Sequence, residues 1–172
     1  INTVVIVDVG EVGVRHFLGQ VDEVPMGEGI HVINPLASVE IMSIREQSFP
    51  ASGGVEQIEA QTSEQMNVAL EVSLLYRIDP ARAPDLFARI GSEDLIKQSI
   101  VMNAIRNGVR DAVATKSIND IFSPDRAQVA ADMRMAIQAK AGDRIEVVEV
   151  FRFAGVDVAR DIQVVIVGLT GD

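Results

Sequence analysis

In this 172-residue sequence, two histidines and one pair of arginines have types and spacing that could carry chemistry. His16 and His31 stand fifteen residues apart, each inside a strand-like run. They form no His-x-x-His or His-Glu-x-x-His pattern, so the spacing of a zinc site is missing. His16 shares an apolar face with Val12 and Val14, the setting of a packed, hydrogen-bonded histidine rather than a ligand or base. There is no cysteine, which removes thiolate nucleophiles and disulfides, and no Gly-x-Ser-x-Gly elbow. Gly27-Glu28-Gly29 lacks the third glycine and the following helix of a dinucleotide fingerprint, and the lysine of a P-loop is missing. Carboxylates are plentiful, 25 in all, and crowd between 56 and 64. That stretch reads as a solvated loop or edge, and nothing couples any two of its members as acid and base. Arg106 and Arg110 lie one helical turn apart. They read either as a solvated face or as a contact with an acidic neighbouring subunit, because like charges at that spacing repel unless a partner answers them. The expectation is therefore no catalytic residue, no metal and no cofactor.

Such side chains need a scaffold, and composition bounds it. Hydrophobic residues make up 48% and charged residues 23%, the balance of a folded chain of one domain or two small lobes sharing a core. The net charge of -10 argues against nucleic acid, whose binding rests on lysine and arginine. It also argues against a basic membrane-surface patch. The apolar runs 4–7 and 164–169 are far shorter than the roughly 20 residues that span a bilayer. The chain opens on Ile1, directly in a strand-like run. It is expected to be a piece of a longer protein whose missing segment holds the anchor.

Two periodicities divide the sequence. Up to residue 78 it reads as strands: 4–7, then 10–18 with Val12, Val14, His16 and Leu18 on one face, a hairpin at Gly19 into 21–24, and a run over 39–44. A loop follows at 50–54. The clearest strand is 66–78, with Val68, Leu70, Val72, Leu74, Tyr76 and Ile78 on one face and Asn67, Ala69, Glu71, Ser73 and Arg77 on the other. From Asp79-Pro80 the period becomes helical. One helix ends at Gly91. The next starts at Ser92 and buries Ile96, Ile100, Ala104, Ile105, Val109, Ala112 and Val113. Gly108 inside it costs about 1 kcal/mol relative to alanine, a cost that a close approach of another backbone would offset. A third helix starts at Ser123-Pro124-Asp125 and ends near Gly142, lining one side with Val129, Met133, Ala136, Ile137 and Lys140. A strand returns over 144–153. The fold class is α+β: an antiparallel, strand-rich first lobe over 1–79, a helical second lobe with a final strand over 80–158, and a tail or extra strand over 159–172.

The stretch Pro25-Met26-Gly27-Glu28-Gly29-Ile30-His31-Val32-Ile33-Asn34-Pro35 is a bend between strands, with glycines where the backbone turns. It also resembles the Pro-Gly-Leu-His-like segment of the SPFH (Band 7) family, which includes prohibitins, stomatins and flotillins. Gly10-Glu11-Val12-Gly13-Val14 resembles the segment near the start of that family. Ser43-Ile44-Arg45 resembles its arginine segment, and Thr62-Ser63-Glu64-Gln65-Met66 leading into Leu75-Tyr76-Arg77-Ile78-Asp79 resembles its turn, strand and Tyr-Arg-Ile block. The resemblance runs in order over about residues 4–158. Two features depart from it. Glu64-Gln65 replaces an acidic-glycine turn, predicting a looser hairpin. Residues 155–172 show no heptad where the family continues into a long coiled coil.

The resemblance implies a non-enzymatic, membrane-associated scaffold. Such proteins assemble as homo- or hetero-oligomers into large rings or cages and organise membrane proteins or regulate a membrane protease. A soluble ligand-binding α+β module, expected to show a concave pocket with convergent polar groups, and a hydrolase, expected to show a strongly shifted titratable group in a cleft, are the alternatives. With no spanning run, basic patch or coiled coil, this stretch alone is expected to leave neutral vesicles unbound.

Overall fold

The computed structural model describes residues 2–51, 54–123 and 126–156. Along them run β1 (Thr3–Val7), β2 (Glu11–Phe17), β3 (Gln20–Val21), β4 (Gly29–Ile33), β5 (Ser38–Ser43), β6 (Gln47–Phe49), β7 (Glu56–Gln61) and β8 (Asn67–Ile78). Then come α1 (Ala83–Arg89), α2 (Glu93–Ile96), α3 (Met102–Ala114), α4 (Ile118–Ile121), α5 (Arg126–Ala141) and β9 (Ile145–Val156). This is an antiparallel strand-rich region followed by helices and a returning strand, the α+β arrangement read from the sequence. The tail expected over 159–172 lies outside the described residues, as do Pro124 and Asp125 at the expected start of the third helix.

β8 is the centre of the main sheet. β6 and β7 pair with successive parts of one of its edges and β9 with the other, all antiparallel. Its apolar face is fully buried, with Leu70, Val72, Leu74, Tyr76 and Ile78 at 0% exposure. The opposite face, polar in sequence, is only partly solvated. Ala69 and Ser73 are buried there too, and Ser73 Oγ donates to Gly54 O at 2.9 Å. Glu71 is half-buried and Asn67 and Arg77 are exposed. The bond to Gly54 places that residue over Ser73.

Of the two readings of the carboxylate-rich stretch, loop or edge, the second holds: it is an edge strand, β7. Ile58 and Ala60 face the core while Gln57, Glu59 and Gln61 face water. Two buried residues among four polar ones gave too weak an alternation to read. The turn from β7 to β8 is tied down rather than loose. Gln65 takes the left-handed conformation (φ 63°) and donates its N–H to Thr62 O at 2.9 Å. Ser63 donates from N and Oγ to Lys116 O at 2.9 and 3.0 Å, and Glu64 accepts the Ile118 N–H at 3.2 Å. These backbone and side-chain bonds hold a turn that lacks the conformational freedom of glycine.

α2 and α3 are joined through a wider π-type turn at Lys97–Val101. The predicted stripe from Ile96 to Val113 is buried along its whole length. α3 crosses α5 at Gly108, where a Cβ would lie 2.6 Å from Ile137 Cα. The glycine is there because the two backbones meet. Lys140 leaves the predicted apolar side of α5 and pairs with Asp111 at 2.8 Å in solvent. Its ammonium cannot enter the core unpaired.

In the smaller sheet β2 pairs with β3 and β5, and Val12 and Val14 join the main core. Leu18 does not share their face. With φ of 47° beside Gly19 at 83°, it occupies the first corner of a two-residue hairpin and is 86% exposed. The strand after the hairpin is only Gln20–Val21, short of the expected 21–24. β1 pairs with β4 as a separate two-stranded ribbon. Its inner side rests on a small satellite core of Val7, Met26 and Ile33.

Candidate functional site

The histidines sit where packing, not chemistry, puts them. The His16 ring packs against Phe87 with centroids 5.0 Å apart. His31 Nε2 contacts Gly27 O at 2.6 Å and holds the bend before β4. Of the bend's glycines, Gly29 takes positive φ, at 127°, and Gly27 does not. Among the described residues no group of three His, Asp or Glu side chains could hold a metal ion.

Titratable groups off the surface form a structural knot. Glu93, in the first turn of α2, accepts the Ser43 N–H at 3.1 Å, Gln47 Nε2 at 2.9 Å and Lys97 Nζ at 3.3 Å. Burial opposes its ionisation, but the Ser43 and Gln47 hydrogen bonds and the Lys97 charge outweigh burial and hold the carboxyl below its ordinary range. Beside it, burial and then the charges of Glu93 and Asp94 push the Tyr76 phenol well above its usual value. Tyr76 is at 0% exposure and its hydroxyl has no hydrogen-bond partner among the described residues. It belongs to the core, not to a cleft, so the sign expected of a hydrolase does not attach to it.

Arg106 and Arg110 do share one face of α3, and that face lies along β7. Arg106 binds Glu56 at 2.7 Å, with Nε donating at 2.8 Å. Arg110 Nε donates to Glu59 O at 3.1 Å. Between helix and strand runs an open groove of about 460 Å³, lined by Gln57, Glu59, Asn103 and Asn107 as well as the two arginines. Glu56 answers the charge of Arg106 within the chain.

The surface that sequence reading missed is on the ribbon. Val4 lies opposite Val32 and Ile6 opposite Ile30. All four point outward, at 59%, 61%, 62% and 74% exposure for Val4, Val32, Ile6 and Ile30. Four β-branched side chains in two cross-strand pairs make a continuous apolar face, of the kind that marks a contact surface. Val9 and Leu36, just after the two strands, are exposed as well. A run such as Val4-Val5-Ile6-Val7 reads as a buried strand, and only the pairing with β4 reveals that one of its sides is left uncovered by the described residues.

The SPFH domain / Band 7 family matches residues 5–166, nearly the whole chain. The chain belongs to that family. No curated protein matches it. Band 7 proteins are usually membrane-associated scaffolds and are generally non-enzymatic. In this Band 7 domain no helix among the described residues is long and apolar enough to cross a membrane.

Proposed function

We propose that this Band 7 domain is part of a non-enzymatic membrane scaffold and meets the bilayer through the outer face of its β1–β4 ribbon. The observation that carries this reading is the apolar row of Val4, Ile6, Ile30 and Val32, free of charge and uncovered by the described residues. Burying a large aliphatic side chain yields about 1.5–3 kcal/mol. Four that are each about two-thirds exposed therefore offer roughly 4–8 kcal/mol before the costs of association. That supports reversible contact, as a single acyl chain does, and not permanent anchoring. A segment outside this chain supplies the anchor in our reading. Tethered copies then assemble side by side into rings or cages with homologous subunits, because tethering raises the effective concentration of weak contacts. A membrane protease is the partner class we assign to the assembly, and no nucleic acid, given the charge of -10.

On this proposal the ribbon would bind neutral vesicles, against the expectation drawn from charge and the lack of a spanning run. Flotation with neutral phosphatidylcholine vesicles is the test. The chain should float in part, and the double variant Ile6→Glu/Ile30→Lys should not. The two new charges face each other and keep the strands paired. Circular dichroism of the variant should match the parent. A parent chain that stays at the bottom of the gradient, or a variant that floats equally, overturns the membrane role of the ribbon.

A further inference from the structure

The main sheet has two outer edges, and the chain treats them differently. Along the first part of β9 the edge is closed by α5. Gln138 Nε2 donates to Ile145 O at 2.8 Å and its Oε1 accepts the Val147 N–H at 2.8 Å, while Arg134 donates to Val147 O at 3.0 Å. Among the described residues, β7 has no comparable clasp. Thr62 N–H donates to Met66 O, and hydrogen-bonding residues alternate along an antiparallel ladder. Glu56, Ile58 and Ala60 therefore turn their backbone groups toward β8, and Gln57, Glu59 and Gln61 turn theirs outward. Among the described residues, the partner these outward groups have is Arg110, on Glu59 O.

An open strand edge templates another strand, and proteins usually blunt it. Here α3 stands beside the edge instead and makes a groove of it. We propose that this groove binds an extended peptide segment by strand addition to β7, with a carboxylate of the segment paired to Arg110. Charge selects that partner. Arg106 is already answered by Glu56, whereas Arg110 pairs with no carboxylate among the described residues. The side chain of Glu59 does not oppose the incoming carboxylate. It projects from the side of β7 opposite Ile58 and Ala60, which face the core. Asn107, on the α3 wall of the groove, adds a polar partner. Strand addition draws affinity from main-chain hydrogen bonds and specificity from alternate side chains.

Fluorescence polarisation with labelled ten-residue peptides of alternating threonine and valine, carrying a central Glu, Gln or Lys, tests the site. The Glu peptide should bind saturably, at least ten-fold tighter than the Gln peptide, and the Lys peptide should not bind. Arg110→Gln should erase the preference for Glu over Gln. N-methylating alternate peptide amides should abolish binding in one register and spare it in the other. Absence of saturable binding by all three peptides, or indifference to the methylation register or to Arg110→Gln, overturns the proposal. So does sedimentation showing that Arg110→Gln dissolves a self-associated species, which would make a second copy the occupant. Vesicle flotation uses a different surface, so either reading can fail without the other.

Discussion

Replacing Gly108 with alanine should destabilise this chain, although the same change in an ordinary helix interior stabilises it by about 0.4–1 kcal/mol. A Cβ at position 108 would meet Ile137 Cα at 2.6 Å, Ile137 N at 2.7 Å and Ile137 Cγ1 at 2.8 Å. Optimal carbon contacts lie at about 3.5–4.0 Å. Two of the three atoms are backbone, so no change of rotamer relieves them, and α3 and α5 must part by about 1 Å. Overpacking a core costs about 1–3 kcal/mol, and so close a backbone contact belongs at the upper end. Against it stands about 1 kcal/mol of helix propensity gained by alanine. The net loss is about 2 kcal/mol, or roughly 4–8 °C in melting temperature for a chain of this size. Gly108→Val should cost more, because its branched Cβ adds bulk at the same crossing. Urea midpoints at constant slope measure the change. Ile137→Ala in the same chain should not rescue Gly108→Ala, since truncation leaves Cα and N in place. A stabilising Gly108→Ala, or rescue by Ile137→Ala, would refute the backbone-contact account.

Other expectations concern the sheet and its clasp. Leu70→Ala and Leu74→Ala should each cost about 2–5 kcal/mol, and Ser73→Ala about 1 kcal/mol through its bond to Gly54. Glu71→Ala should stay within about 0.5 kcal/mol. Equal urea midpoints for Ser73→Ala and the parent would return that side of β8 to solvent. Gln138→Ala should cost about 1–3 kcal/mol by leaving Val147 N–H and Ile145 O unanswered, and a neutral result would mean that water serves that edge as well. Glu93→Gln should destabilise at neutral pH and lose its effect in acid. The folded-state carboxyl is held low, so its contribution is complete above the unfolded value and fades as pH falls through the folded one. Midpoints of parent and variant should therefore begin to converge below the unfolded glutamate value of about 4.3 and meet only below the lowered folded one. A gap that persists there would rule out the charge as its source.

Periodicity made much of this fold legible. β8 alternates strictly over six apolar positions, and the stripe from Ile96 to Val113 is equally regular, so both could be read directly. Gly108 was legible for a related reason, since a glycine costs so much inside a helix that only a close crossing justifies it. β7 was not legible, because its inward side offers only Ile58 and Ala60 among carboxylates and amides. Leu18 misled, being apolar at the right spacing but placed at a turn whose conformation strand alternation does not anticipate. The two surfaces with functional weight escaped for one physical reason. Whether Val4 and Ile6 are covered, and whether Gln57, Glu59 and Gln61 have partners, depends on which strand lies next to them. Local sequence does not carry that information.

The pairing of β8 with β9 also governs how the chain is made. Ile78 pairs with Ile145 and Ala69 with Val156, so roughly 70–90 residues of synthesis separate the two partners. At about 5–20 residues per second the ribosome takes on the order of ten seconds to deliver β9. For that interval β8 emerges with one side of its ladder empty and the most apolar face of the protein not yet roofed by α3 and α5. Loop-closure entropy is lost before these distant contacts form, which slows the final step. The acidic charge of the nascent chain, and the carboxylates crowded on β7 beside it, keep neighbouring copies apart in the meantime.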